Sequence, residues 1–91
     1  MLLRAVQALA TGKAVIVISA RSEEHGHMKG LLRDHGVNPR HVRFTTLASL
    51  HTLRGLSKHH AVAFVDHWAV DRATGHEYEE LRILRHRGLI E

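Results

Sequence analysis

The residues best placed to do chemistry are an acid and a histidine at the end of an apolar run, Asp66 and His67. Residues 61–65 are all apolar, which is typical of a strand buried on both faces of a parallel sheet. Such a strand delivers the next residue to the carboxyl edge of the sheet, where α/β proteins place their ligands. A carboxylate there can hold a divalent cation, and a histidine beside it can act as a base. The alternative interpretation is that Asp66 only caps the segment that follows the strand.

Histidine is unusually frequent, with ten in a chain of 91 residues. Imidazoles bind transition metals when three or four ligands converge, and His59 and His60 could meet Asp66 and His67 at one end of a strand. No spacing matches a defined metal site such as His-Glu-x-x-His, so we predict scattered surface histidines and no metal or other cofactor. The first candidates for ligands, if a site exists, are His25, His27, His59, His60 and His67.

The chain is basic, with a formal charge of +4 when the histidines are neutral. Basic side chains neutralise phosphates and so supply sequence-independent affinity for DNA or RNA. Arg82, Arg85 and His86 have the spacing of one helix face, although Glu79 and Glu80 could pair with that face instead. The arginines that we predict to contact nucleic acid are Arg21, Arg40, Arg43, Arg82, Arg85 and Arg87.

Composition narrows the class of protein. The length fits a single domain over residues 1–91, and the absence of cysteine excludes disulfides and thiolate metal sites. The apolar run at the N-terminus is too short for a signal peptide, and no segment has the roughly 20 apolar residues of a membrane span. We therefore expect a soluble, cytoplasmic protein without a membrane partner. Trp68 is expected to cover the core rather than to stack on bases.

The elements that must position these residues alternate between helix and strand. In chain order they are a helix that ends at Gly12, a strand over 14–18, a helix from the N-cap Ser22 to Gly36, a strand over 41–46, a short helix or irregular turn over 47–56, a strand over 61–65, a loop over 72–75 and a helix over 77–87. Residues 89–91 could start another strand, and the last helix should turn Tyr78, Leu81 and Leu84 inward.

Strands that alternate with helices imply a parallel sheet. We predict a small three-layer α/β/α domain with a three- to four-stranded, mostly parallel sheet. Its strand edges would be exposed, which favours a homodimer or a protein partner that pairs along an edge.

Four segments also follow the order and spacing of a known ATPase core. They read LLRAVQALATGKAVIVI at 2–18, FTTLASLHTLRGL at 44–56, AVAFVD at 61–66 and ELRILRHRGL at 80–89. The chain resembles the P-loop ATPases of the additional-strand class, nearest to terminase large subunits, Zot-like and FtsK/HerA-like ATPases and helicases. The resemblance implies a P-loop-NTPase-like fold, a phage or mobile-element origin, and a Walker B position for Asp66.

The chain departs from that pattern at the phosphate loop and at the position after Asp66. Gly12-Lys13 is followed by Ala14 instead of Ser or Thr, and Gln7 stands where the first glycine of a phosphate loop belongs. Gly12-Lys13 also precedes a predicted strand rather than opening a helix. His67 stands where the family has the glutamate that orients the attacking water. Hydrolysis of ATP by this chain alone is therefore not expected, and Asp66 and His67 are candidates for relics of a catalytic site.

The leading hypothesis is a non-catalytic accessory or regulatory protein that binds a protein partner or nucleic acid. One alternative is a fragment or subunit of a DNA-handling ATPase whose phosphate loop lies elsewhere. Another is a small metal-dependent enzyme that uses Asp66 and histidines.

Overall fold

The centre of the protein is a three-stranded parallel sheet. A computed structural model describes residues 2–90, with the side chains at positions 4–66 and 69–90. The strands β1 (Ala14–Ser19), β2 (Val42–Thr46) and β3 (Ala61–Val65) lie in the order β2-β1-β3. Both pairings are parallel, as the alternation of elements predicts.

Helices and two 3-10 segments connect the strands. The helices are α1 (Leu2–Ala10), α2 (Glu24–Asp34), α3 (His67–Arg72) and α4 (Gly75–His86). The 3-10 segments, Pro39–His41 and Leu47–Leu53, lie on either side of β2 in the chain. After α4, Ile90 forms a parallel bridge with Ala63, so the chain reaches the position of a fourth strand beside β3.

The register of the strands divides the core into two layers. Val15 is aligned with Val42 and Val62, and these valines face a cluster built with α1 and α2. Ile16 is aligned with Ala63 and faces the opposite cluster, which Leu47–Leu53, α3 and α4 complete. Apolar layers on both faces explain why β1 is a continuous β-branched run. The prediction of a small α/β domain with a parallel sheet is confirmed.

The start of α2 and the segment after β3 differ from the sequence-based expectation. Ser22 is not the N-cap of α2; that position is Glu23, which makes no side-chain cap hydrogen bond. The first amides are instead bound by backbone carbonyls, since Glu24 N donates to Arg21 O and His25 N to Ser22 O. Residues 67–72, which had no predicted helix, form α3.

The last helix begins two residues earlier than predicted. Thr74 is its N-cap, and Thr74 and Glu77 bind each other's backbone amides in a capping box. Tyr78 is 54% exposed and does not face inward. The buried face of α4 is formed by Glu80, Leu81 and Leu84, and Tyr78 lies beside this face.

Candidate functional site

Asp66 lies at the carboxyl edge of the sheet, directly after β3 and directly before α3. Its backbone N–H donates to Ile18 O at 3.0 Å, which extends the pairing of β3 with β1 by one residue. Its carbonyl oxygen accepts from Ala69 N at 2.8 Å and so closes the first turn of α3. Asp66 is partly exposed. The side chains of His67 and Trp68 lie outside the described residues, so the expectations for them stay predictions.

Two of the histidines proposed as metal ligands, His59 and His60, do not converge with Asp66. His59 and His60 precede β3 while Asp66 follows it, which separates His60 and Asp66 by about 20 Å at the usual rise per strand residue. The expected meeting of these residues at one strand end is therefore wrong. Across the side chains that the structure describes, no group of three His, Cys, Asp or Glu residues could hold a metal ion.

His25 and His27 lie near the start of α2, and only His25 contacts the sheet. The Nε2 atom of His25 is 3.3 Å from Thr45 O, and its ring packs against Phe44 with centroids 5.3 Å apart. Lys29 lies over the same Phe44 ring at 5.4 Å. These contacts secure α2 to the edge strand β2, which is a structural task, while His27 is exposed.

Among the described residues, three ion pairs involve α2 or α4. Arg72 Nη1 lies 3.1 Å from Glu24 Oε1, and this pair joins the end of α3 to the start of α2. The other carboxylate oxygen of Glu24 is buried and has no hydrogen-bond partner among the described residues.

On α4, Arg82 pairs with Glu79 at 2.7 Å, and this hydrogen bond lowers the pKa of Glu79.

The third ion pair joins α4 to the loop before β3. Glu80 is buried and pairs with Arg54, which comes directly after Leu47–Leu53. The hydrogen bond from the Arg54 guanidinium holds the pKa of Glu80 below its usual range. Arg87 Nη1 also donates to Arg54 O at 2.6 Å, so the end of α4 and this loop form one unit.

Lysines and arginines gather at the opposite edge of the sheet, where the strands begin. We call this surface the basic edge. It is formed by the ends of α2 and α4 and by the residues that precede each strand. Direct contacts hold it together: Ala14 N donates to His60 O at 2.9 Å, and the Lys58 side chain packs against Gly88. Its Lys and Arg residues are Lys13, Arg33, Arg40, Arg54, Lys58, Arg85 and Arg87.

Acidic residues are concentrated at the other edge. Among the described residues, the acids at the basic edge are Asp34 and Glu80, whose carboxylate pairs with Arg54. The carboxyl edge, with the helix starts beside it, carries Glu23, Glu24, Asp66, Asp71 and Glu77, along with Arg21 and Arg72. Positive and negative side chains are therefore separated along the strand direction, and the positive charge is concentrated at the basic edge.

The six predicted nucleic-acid arginines are divided among these surfaces. Arg40, Arg85 and Arg87 belong to the basic edge. Arg21 follows β1 at the carboxyl edge, and Arg43 lies within β2, where its Nη2 donates to Thr52 Oγ1 at 3.3 Å. Arg82 is exposed on α4 and pairs with Glu79. The sequence-based set omitted Lys13, Arg33, Arg54 and Lys58, because their proximity depends on where the helices end. Their common signal is a cation in a helix's last turn or shortly before a strand.

No helix within residues 2–90 combines the length and apolar character that a membrane crossing requires.

Comparisons with protein-family models, with curated proteins and with solved structures find no match for this chain.

Proposed function

We propose that the protein is a non-catalytic accessory or regulatory protein that binds nucleic acid through the basic edge. The observation that carries this proposal is the segregation of charge. Cations from α2, α4 and the loops before β1, β2 and β3 form one surface, where the described acids are Asp34 and Glu80, the partner of Arg54. Proximity of many cations on one face attracts the phosphate backbone and does not depend on base sequence.

Helix stability alone does not account for this surface. Cations in the last turn of a helix interact favourably with the helix dipole, which is a sufficient reason for Arg33 and Arg85. Lys13, Arg40 and Lys58 lie outside the α-helices, shortly before the strands, where that interaction is weaker. Their placement supports a surface adapted to an anionic ligand.

The family resemblance supports the same ligand class. The proteins that the chain resembles handle DNA, and we propose a degenerate P-loop-NTPase-like chain of phage or mobile-element origin that works in the cytoplasm. Gly12-Lys13 connects α1 to β1 and does not open a helix, so it lacks the context of a phosphate-binding loop. Binding without hydrolysis is the function that fits these residues.

The proposal is tested by titrating labelled duplex and single-stranded DNA at several salt concentrations. Binding should weaken linearly on a log–log plot, with a slope of about −0.9 per neutralised duplex phosphate. A variant with Lys13→Gln, Arg40→Gln and Lys58→Gln should lose affinity about tenfold or more and show a shallower slope.

The matched control removes the same charge elsewhere, with Arg21→Gln, Arg72→Gln and Arg82→Gln. This variant should bind nearly as the parent does, and circular dichroism should show both variants folded. Absence of binding to either DNA at low salt would refute the proposal. An equal loss in the control variant would show that only net charge matters and would refute the assignment to the basic edge.

A protein partner or a second copy along the sheet edge is the other candidate. Strand β2 pairs with β1 on one side, and no strand of the described chain covers its other side. Unpaired backbone groups on an edge strand can template another strand. Sedimentation of the protein alone over a range of concentrations separates a monomer from a dimer.

A further inference from the structure

A cleft lies at the carboxyl edge of the sheet, and none of its lining residues belongs to the basic edge. Its volume is about 480 Å³, within the range of sites for small molecules. Three small or apolar residues and three charged residues line it, namely Ala20, Arg21, Leu47, Ala48, Arg72 and Glu77. Ligand sites combine apolar surface with a few polar groups, and half of the residues lining this cleft are charged.

The topology of the sheet opens this cleft. From β1 the chain passes to the layer of α2, whereas from β2 it passes to Leu47–Leu53 in the opposite layer. Adjacent parallel strands whose connections leave to opposite faces create a crevice at their carboxyl ends, and α/β proteins bind ligands there.

The walls of the cleft are held by hydrogen bonds. Ser19 is fully buried, and its Oγ donates to Arg21 O at 3.1 Å, which fixes the turn after β1. Glu77 Oε1 accepts from Thr74 N at 3.0 Å, so Glu77 is oriented by the capping box of α4. Glu24 holds one Arg72 nitrogen, which fixes that guanidinium beside the turn.

The guanidinium groups of Arg21 and Arg72 have N–H donors that are not used within the described residues. Arg21 makes no side-chain hydrogen bond or ion pair with the residues that the structure describes, and the Arg72 side chain is 52% exposed. A guanidinium offers five N–H donors in a planar fork, and Glu24 occupies only part of that of Arg72. Such forks match the geometry of phosphate and carboxylate groups.

We propose that this cleft binds a small molecule through an oxyanion, a phosphate or a carboxylate, held between Arg21 and Arg72. The Glu77 carboxylate lines the same cleft and accepts a hydrogen bond from a hydroxyl or amine of that molecule. The small side chains of Ala20 and Ala48 leave room for its body against Leu47. This site is separate from the basic edge, so it does not depend on nucleic-acid binding.

The test is a titration with inorganic phosphate and, in a second arm, with acetate, followed by amide chemical shifts. Millimolar phosphate should shift the amides at positions 20–22, 47–48 and 72–77 together, with one dissociation constant. Shifts with both anions identify a general oxyanion site, and shifts with phosphate alone identify a phosphorylated ligand; both support the proposal.

Arg21→Gln is the decisive variant because Arg21 has no ion pair to lose among the described residues. It should weaken phosphate binding about tenfold, and Arg72→Gln should do the same. The control is Arg82→Gln, which removes the same charge from α4 and should leave the phosphate affinity unchanged. The proposal is overturned if no shift occurs at the cleft, if the shifts lie at the basic edge, or if Arg21→Gln binds phosphate as the parent does.

Discussion

Glu80 shows how one buried acid joins two elements. It lies on the inward face of α4 at 6% exposure, and its partner Arg54 belongs to the loop before β3. A buried carboxylate is costly unless it is paired and hydrogen-bonded, so this contact is needed for α4 to pack here. The sequence indicated that Glu79 and Glu80 could pair with the basic face of α4. Glu79 does so with Arg82, but the partner of Glu80 is 26 residues away in the chain and is chosen by the fold.

The Glu80–Arg54 pair predicts a loss of stability in acid. The pKa of Glu80 is lowered by Arg54, whereas an unfolded glutamate titrates near 4.3, at about its ordinary value. The pair therefore stabilises the folded state fully above that value, and this stabilisation is lost as the pH falls through the lower pKa of the folded state. Urea unfolding between about pH 6 and pH 3 should show the loss.

Glu80→Gln should flatten this pH dependence, because the substituted amide does not titrate. Glu23→Gln is the control, since Glu23 is exposed and makes no ion pair with the described residues. The control should follow the parent curve. Equal curves for the parent and Glu80→Gln would contradict the prediction.

Among the elements, the segment after β2 illustrates what a sequence period can and cannot predict. Leucines recur at every third position from Leu47 to Leu56, which indicates a short helix or an irregular turn. The structure resolves this choice as a 3-10 segment, Leu47–Leu53, with a kink at Ser49. A 3-10 helix has three residues per turn, so Leu47, Leu50 and Leu53 share one buried face.

We predict that Leu53→Ala destabilises the protein by about 2–5 kcal/mol, because the side chain is completely buried between this segment and α4. Leu56→Ala is the matched control. Leu56 continues the same period but is only partly buried, so its truncation should cost clearly less. Chemical denaturation of the two variants measures the difference. A Leu56→Ala loss as large as that of Leu53→Ala would show that the segment is not packed as described.

There are physical reasons why the sequence did not predict α3 or the N-cap of α2. Helix α3 has six residues, too few for an apolar period to distinguish it from a turn. The first amides of α2 are bound by backbone carbonyls and not by the Ser22 side chain. Every residue type has a backbone carbonyl, so the sequence does not indicate this kind of cap. The strands and their parallel pairing were predictable from the buried apolar runs, while the order β2-β1-β3 depends on which face each connection crosses.

At the scale of the whole molecule, the charge pattern results from topology. Parallel strands require the connecting helices to run back, so α2 and α4 end at the edge where the strands begin. Residues as distant as Lys13, Arg40 and Arg87 thereby reach one surface, while Arg21 and Arg72 reach the other. The sequence predicted a basic protein and a list of arginines. It could not predict which of them share an edge, because that assignment requires the direction of every element.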